Sequence, residues 1–533
     1  MKNASKTPLF ATLRKALQMA LAANKAQTDA DEVIQRADEA RMTRRKFLEN
    51  TGKTLAVGAV ASLTGEGLLT QSLFKKPARI VIVGAGMAGL SALHTLRKAN
   101  KDAVVYESSG RTGGRIFTVQ EAMGPGTWTE FGGEFIDSNH ADMWALASDK
   151  TLREQPLEMI DYAQTSENAL TKEAFFFEGK HHTLAQLVEQ FRLFADRIAA
   201  DAAKLPDEIS YKTKDPIVRN LDHLSLSEYL EKIGATGWVK RFIEVSYESE
   251  YGLSPQVQSA INLIWLISTD TEGGKFELFG ESDERYKIKG GNQSITDALA
   301  TKYASHIQLN RSLISLRQKG HLYELTFSGM KDPVTADFVI LTIPFTRLRQ
   351  IDLQIKKMPE LKMRSIRELG YGTNAKLMMG MKTHYWRDQG YQALCYADNG
   401  IPNGWDNAQL QTPVDQTAGF SILFGGPSGI ELGQGTPAQQ RDIYLPKLEQ
   451  IFPGAVAQHN GQLARMHWPT QPHTLCSYIC YTTGQYTGIG GAEQMPVGRV
   501  FFAGEHCGGE FGGFMNGAAK SGREAAEAVL RRL

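Results

Sequence analysis

The sequence predicts an α/β protein built of two interleaved domains, and three observations carry that prediction. A short β-branched run, Arg79-Ile-Val-Ile-Val83, leads straight into a glycine turn, Gly84-Ala-Gly-Met-Ala-Gly89. Leu90, Leu93, Leu96 and Ala99 then recur at helical spacing, and a second apolar run, Ala103-Val-Val-Tyr106, ends in an acid, Glu107. Further along the chain stand two glycine-bearing segments, 289–299 and 500–522, and an apolar run ending in proline, 336–344, with long stretches of other patterning between them.

The first unit is a strand, a turn, a helix and a second strand. In G-x-G-x-x-G, Gly84 makes the tight turn, Gly86 lets the backbone approach a pyrophosphate, and Gly89 packs the helix against the strand. The helix N-terminus offers free N–H groups and the positive end of a dipole to phosphate charge. Glu107 stands 23 residues beyond Gly84, where its carboxylate can accept hydrogen bonds from ribose hydroxyls. The glycine pattern alone is common. With both strands, the helix and the acid in register it reads as a Rossmann-like, dinucleotide-binding unit.

Composition narrows the remainder. There are 59 Lys+Arg against 58 Asp+Glu in 533 residues, a net charge of +1, which gives no broad field for gripping nucleic acid. Hydrophobic residues at 42% and charged residues at 22% support large cores. Fifty-one glycines point to many tight turns or close backbone approaches to a ligand. Four cysteines (Cys395, Cys476, Cys480 and Cys507) are too few for a disulfide scaffold and lack C-x-x-C spacing, so no metal is expected. No apolar run reaches the roughly 20 residues of a membrane span.

Near the N-terminus, Thr43-Arg-Arg-Lys-Phe-Leu-Glu49 precedes a modestly apolar stretch, 54–63. It resembles a twin-arginine export signal, placed at 43–69, which predicts export of the folded protein to the periplasm by the twin-arginine machinery. Upstream, Leu9, Leu13, Leu17 and Leu21 fall at helical spacing, so 1–41 reads either as an amphipathic pre-segment or as sequence ahead of a true start at Met42.

The second glycine turn, Gly110-Arg-Thr-Gly-Gly-Arg115, makes the resemblance specific. With Gly84–Gly89 and Glu107 it resembles the flavin-containing amine oxidase family, which includes monoamine, polyamine and L-amino acid oxidases. Glu130-Phe-Gly-Gly-Glu-Phe-Ile136, Lys289-Gly-Gly-Asn-Gln, Ala336-Asp-Phe-Val-Ile-Leu-Thr-Ile-Pro344, Val500-Phe-Phe-Ala-Gly-Glu-His506 and Gly513-Phe-Met-Asn-Gly extend it over about 78–533. The resemblance implies FAD, held non-covalently, by Gly84, Gly86, Met87, Ala88, Gly89, Glu107, Arg111, Gly114, Arg115, Gly132, Gly133, Glu134, Leu313, Gly504, Glu505 and Met515. It implies an FAD-binding domain of 78–150, 285–350 and 474–533, interleaved with an α+β substrate domain of 151–284 and 351–473, as in the amine oxidase and p-hydroxybenzoate hydroxylase architecture. Residues 1–77 form an N-terminal extension. Helical patterns are expected at Leu184–Phe191 and 226–233, and a loop-like region shaping access at 399–440.

The implied chemistry is hydride transfer from an amine Cα–H to flavin N5, giving an imine that hydrolyses to aldehyde or ketone plus ammonia or amine, with O2 reduced to H2O2. The alternatives are an L-amino acid oxidase giving a 2-oxo acid, or a dehydrogenase using another acceptor. A small amine or amino acid is the expected substrate, and a homodimer is compatible with the sequence. Lys376, in Tyr371-Gly-Thr-Asn-Ala-Lys-Leu-Met-Met379, matches the family's lysine near N5; from pattern alone it is either a solvated edge-strand charge or a buried functional group. Phe514 and Tyr481, with Tyr478 as second candidate, are assigned to the aromatic walls. Cys480 sits in Cys-Tyr-Thr-Thr, which matches the covalent attachment site of mammalian-type monoamine oxidases, but Gly484-Gln485 then departs from them. Glu134 and His140 lie near the expected flavin edge, with Asp137 or Ser138 as helix caps. The arginine-bearing segment that many L-amino acid oxidases carry after this turn is missing, which favours an amine without a carboxylate.

Overall fold

The computed structural model describes residues 8–37, 77–162, 172–266 and 284–533. The export motif at 43–49 and the apolar stretch after it lie outside the described residues. At the centre is a five-stranded sheet in the order Val500–Phe502, Phe338–Leu341, Ile80–Val83, Ala103–Tyr106, Ile307–Gln308, with every pairing parallel. Its three central strands and Val500–Phe502 are predominantly apolar because elements cover both faces of a parallel sheet, while the edge strand ends in the exposed Gln308. Ile80–Val83 and Phe338–Leu341 are buried at every position.

Two helices, Met87–Lys98 and Met515–Leu530, lie against one another beside this sheet. Their contact explains the small residues of the terminal helix. A Cβ on Gly522 would fall 2.1 Å from Ala88 O, and Ser91 Oγ donates to Ala519 O at 2.7 Å. Gly522 and Ala519 thus make room for a neighbouring helix.

A second sheet runs Val334–Ala336, Leu322–Phe327, Leu313–Lys319, Asp352–Gln354. Asp352–Gln354 pairs parallel with Leu313–Lys319, and Ile355, Ile366 and Leu369 share the core of that sheet. A domain boundary at 350 therefore cuts through a sheet, and the packing places the change nearer 370. The sequence around 350 carries no break in pattern that would have shown this.

A seven-stranded sheet builds the other half, in the order His459–His467, Ala375–Met381, Ala418–Phe424, Asn403–Asp406, Tyr391–Ala397, Lys172–Phe177, Lys180–His182. The expected loop-like region 399–440 holds a connection at 407–417, but around it stand two of the sheet's interior strands and the helix Gly426–Glu431. Gly404, Gly419 and Asn407 gave it a loop-like composition, yet each strand is buried at every position.

Helices cover this sheet. Leu184–Arg192 and Leu226–Lys232 form where their spacing predicts, each opened by a capping box, Thr183 with Gln186 and Ser225 with Glu228. The helices Pro8–Ala26 and 30–37 pack into the same layer. Ala16, Leu17, Ala20 and Ala23 are fully buried among Leu187, Phe191 and Phe242. Asn24 Nδ2 donates to Arg192 O at 3.1 Å, Arg192 Nε donates to Asn24 Oδ1 at 2.9 Å, and Ala30 N donates to Glu189 Oε1 at 2.7 Å. The N-terminal extension expected over 1–77 is thus not a single appendage. Its described helices belong to the core of the half built on the seven-stranded sheet.

Candidate active site

One long cleft runs from the glycine turn of the parallel sheet to the seven-stranded sheet. At its first end stands the N-terminus of Met87–Lys98, where Gly86 is the N-cap and no side chain caps the helix. Gly86, Met87 and Ala88 line the cleft, so the uncapped first turn of the helix opens onto it. A Cβ on Gly89 would sit 1.9 Å from Gly84 O, whereas one on Gly86 meets nothing closer than Gly114 Cα at 3.9 Å. Gly89 is small for packing. Gly86 is small toward the open cleft, a cradle that fits a diphosphate.

Glu107 closes the second strand and lines the same end. Its Oε2 accepts from Ala85 N at 2.7 Å, and its Oε1 from Ser109 N and Ser109 Oγ, both at 2.8 Å, which fixes the carboxylate at the wall. Arg111 donates to Thr112 O and stacks over Phe117 at 4.3 Å, so it braces its own turn. Arg115 pairs with Glu505 at 2.8 Å and also donates to Ser477 O, tying the glycine turn to the terminal motif. Glu505 Oε2 accepts from Ile479 N. Gly132, Gly133, Gly504 and Met515 complete this part of the lining.

At the other end a charged cluster is set among aromatic rings. Lys376 lies on an interior strand of the seven-stranded sheet, only 6% exposed, and its Nζ donates to Glu134 Oε2 at 2.8 Å, Gly132 O at 3.0 Å and Glu130 O at 3.1 Å. Glu134 Oε1 accepts from Lys287 Nζ at 2.6 Å and from Trp405 Nε1 at 2.9 Å. Burial pushes the Glu134 carboxyl up, but Lys287 and then Lys376 outweigh it and hold it at about 2. Burial alone would lower Lys287; the Glu134 charge reverses that and raises it. Glu130, buried behind, is pushed up to about 7 by burial, although Asn292 N and Thr118 Oγ1 donate to it. Phe135, Trp405, Leu423, Tyr478 and Phe514 line the cleft around this cluster, with Glu284 also on the wall.

A sequence model of the flavin containing amine oxidoreductase family matches residues 87–530. The chain belongs to that family. Among its relatives, a flavin-containing amine oxidase of Danio rerio is 23% identical over 469 residues, covering 85% of this chain and 85% of the relative. An L-amino acid dehydrogenase of Synechocystis is 24% identical over 472 residues, covering 84% and 94%. Cyclohexylamine oxidase from Brevibacterium oxydans superposes with a TM-score of 0.73 at 19% identity, covering 86% of this chain and 99% of that one, a likeness of fold. The protein is thus a flavin-dependent oxidoreductase with this family's two-domain α/β architecture.

Within this family member, the cleft brings together Gly84, Gly86, Met87, Ala88, Glu107, Arg111, Gly114, Arg115, Gly132, Gly133, Glu134, Lys376, Gly504, Glu505, Phe514 and Met515. Gly89 sits behind, in the helix–strand contact. Leu313 is buried in the second sheet and is not on the wall. Tyr481 is also elsewhere: its hydroxyl donates to Glu493 Oε1 at 3.0 Å, and its ring packs on Tyr486 at 4.3 Å. Tyr478, the second candidate, lines the cleft instead. Cys480 is buried in the helical core, its thiol 3.8 Å from Asn262 Nδ2, and none of the four cysteines is disulfide-bonded.

His140 is the N-cap of Ala141–Ala147, buried, with its Nδ1 accepting from Asp137 N at 3.0 Å; burial lowers it to about 3, so it is neutral. Its ring edge meets Phe514 at 5.1 Å and props that wall. Asp137 accepts from Glu284 N, and Asn516 Oδ1 accepts from Asp142 N and Met143 N, the capping role expected of Asp137 or Ser138. Lys287 and Trp405 are the residues that sequence reasoning missed. Lys287 carries no motif, and Trp405 stood in a presumed loop.

Proposed function

We propose that this protein is an FAD-dependent amine oxidase that takes an amine without a carboxylate. The observation that carries the reading is the single cleft joining a dinucleotide cradle to a wall of Lys376, Trp405, Tyr478 and Phe514. FAD, bound without a covalent link, would be held by the amides at Gly86–Ala88, by Glu107 and by the turn carrying Arg115; the position of Cys480 in the helical core supports this. When bound, it supplies the acceptor for hydride from the substrate Cα–H.

The chain does the rest. The aromatic and aliphatic wall strips water from an incoming amine and penalises its charged form. Two ammonium groups against one carboxylate in the Lys287–Glu134–Lys376 cluster act in the same direction, favouring the neutral amine whose lone pair must be free. Among the described residues of the wall the arginines are Arg111 and Arg115, both committed to the dinucleotide end. This supports a substrate lacking a carboxylate. The runner-up, an L-amino acid oxidase or dehydrogenase, is kept because relatives of similar identity carry those names. Oxygen as acceptor and periplasmic export remain part of the proposal, the latter on the Arg44-Arg45 motif alone. Peroxide release in air with monoamines and diamines, but not with their α-carboxylated counterparts, would support the reading. Turnover confined to amino acids would replace it.

A further inference from the structure

Lys287 does not line the cleft, yet it is bound to the group that does. Its side chain is 2% exposed, and its Nζ donates to Glu134 Oε1 at 2.6 Å beneath the rings of Phe135 and Tyr162, 4.6 and 5.1 Å away. The same carboxylate takes Lys376 on its other oxygen. An ammonium has three protons, and Lys376 places all of them on Glu134 Oε2, Gly132 O and Glu130 O, so its position is fixed by the protein. Glu134 is fixed in turn by Lys287 and Trp405. Within this cluster two cations face one anion. Glu284 adds a second carboxylate to this part of the wall.

Resting on the reading of the cleft as a flavin site, we propose that Lys287 is a positioning residue for the reaction: through Glu134 it holds the Lys376 ammonium in place, and it supplies the second positive charge that makes this wall favour negative charge on the bound flavin. A carboxylate with one lysine would be a neutral pair. The second lysine turns the pair into an electrostatic device.

The variants form a charge ladder. Lys287→Met and Lys376→Met each leave a neutral pair, Lys287→Arg keeps the charge, and Glu134→Gln raises it; Glu284 is common to all. The probe is sulfite, whose adduct with oxidised flavin is read from the loss of visible absorbance and needs no amine. Sulfite affinity should fall about tenfold in Lys287→Met, as for removal of a unit charge from a site of low dielectric. It should fall similarly in Lys376→Met, return in Lys287→Arg and rise in Glu134→Gln, with the flavin reduction potential moving in parallel. Lys287→Met keeps Glu134 paired with Lys376, so its folding is protected, and Lys287→Gln provides a second neutral variant.

Sulfite affinity and potential unchanged in both neutral Lys287 variants would overturn the proposal, leaving amine turnover as separate evidence for the reading above. An intact ladder in a protein that no amine reduces would uphold the proposal and remove the substrate assignment. A purified protein that takes up no flavin would overturn both.

Discussion

Gly86 and Gly89 lie three residues apart in one motif, and the geometry predicts opposite consequences for giving each a methyl group. At Gly89 the new Cβ falls 1.9 Å from Gly84 O and 3.0 Å from Gly84 C, both backbone atoms. Cβ contacts below 3.0 Å essentially do not occur, so the helix Met87–Lys98 must move off the strand by about 1 Å. That shift disturbs its packing against Met515–Leu530, and overpacking of this kind costs about 1–3 kcal/mol. At Gly86 the nearest atom is Gly114 Cα at 3.9 Å and the backbone is extended, with φ of −73°. Gly86→Ala should therefore cost the apoprotein under about 1 kcal/mol, the scale of an N-cap change. Its methyl group nevertheless points into the space a pyrophosphate needs. The assay is urea unfolding of both apoproteins beside the visible flavin absorbance per chain of both purified proteins. Gly89→Ala should lose stability and flavin together, and Gly86→Ala flavin alone. A Gly86→Ala protein with full flavin, or a Gly89→Ala protein as stable as wild type, would refute the reasoning.

Other predictions follow from the same contacts. Glu130 is pushed up to about 7 in the fold against an ordinary value of 4.5, so the folded state holds its proton more tightly than the unfolded chain. That contribution is present below 4.5 and is lost as pH rises to 7, by roughly 3 kcal/mol. Unfolding at pH 5 and pH 7.5 should show Glu130→Gln flattening this part of the profile; equal slopes would count against it. A chain begun at Met42 lacks the buried side chains of Leu17, Met19, Leu21 and Val33 and exposes their partners. It should lose roughly 5 kcal/mol or more and aggregate, as judged by light scattering, and supplying 1–41 as a separate peptide should restore it in part. Lys376→Met should slow reoxidation of the reduced enzyme at least about tenfold, measured by stopped-flow mixing with oxygenated buffer.

What was legible in the sequence is what is local. The turn at Gly84–Gly89, its helix, the acid at Glu107 and the capping boxes all act within a few residues to about twenty, so spacing alone carries them. The charged cluster is assembled across 153 residues from Lys287 to Glu134, 242 from Lys376 and 271 from Trp405, and no periodicity encodes such meetings. Lys376 illustrates the boundary. Its strand pattern left it either solvated or buried, and only pairing with strands on both sides decides for burial. Tyr478 and Tyr481 show the same limit at finer scale: three residues apart in one motif, the first lines the cleft and the second bonds to Glu493. The helix Pro8–Ala26 was legible from the leucine spacing, the one at 30–37 was not, and neither was legible as core, because their partners Leu187, Phe191 and Phe242 stand more than a hundred residues away.

The central claim, that this cleft oxidises an amine at its Cα–H using bound flavin, is tested most directly by mixing the purified yellow protein anaerobically with a panel of amines and amino acids and following the visible flavin band. The account predicts bleaching by at least one simple amine, with colour returning and peroxide appearing when air is admitted. A flavoprotein whose band no amine bleaches, or that is bleached by amino acids alone, would contradict it.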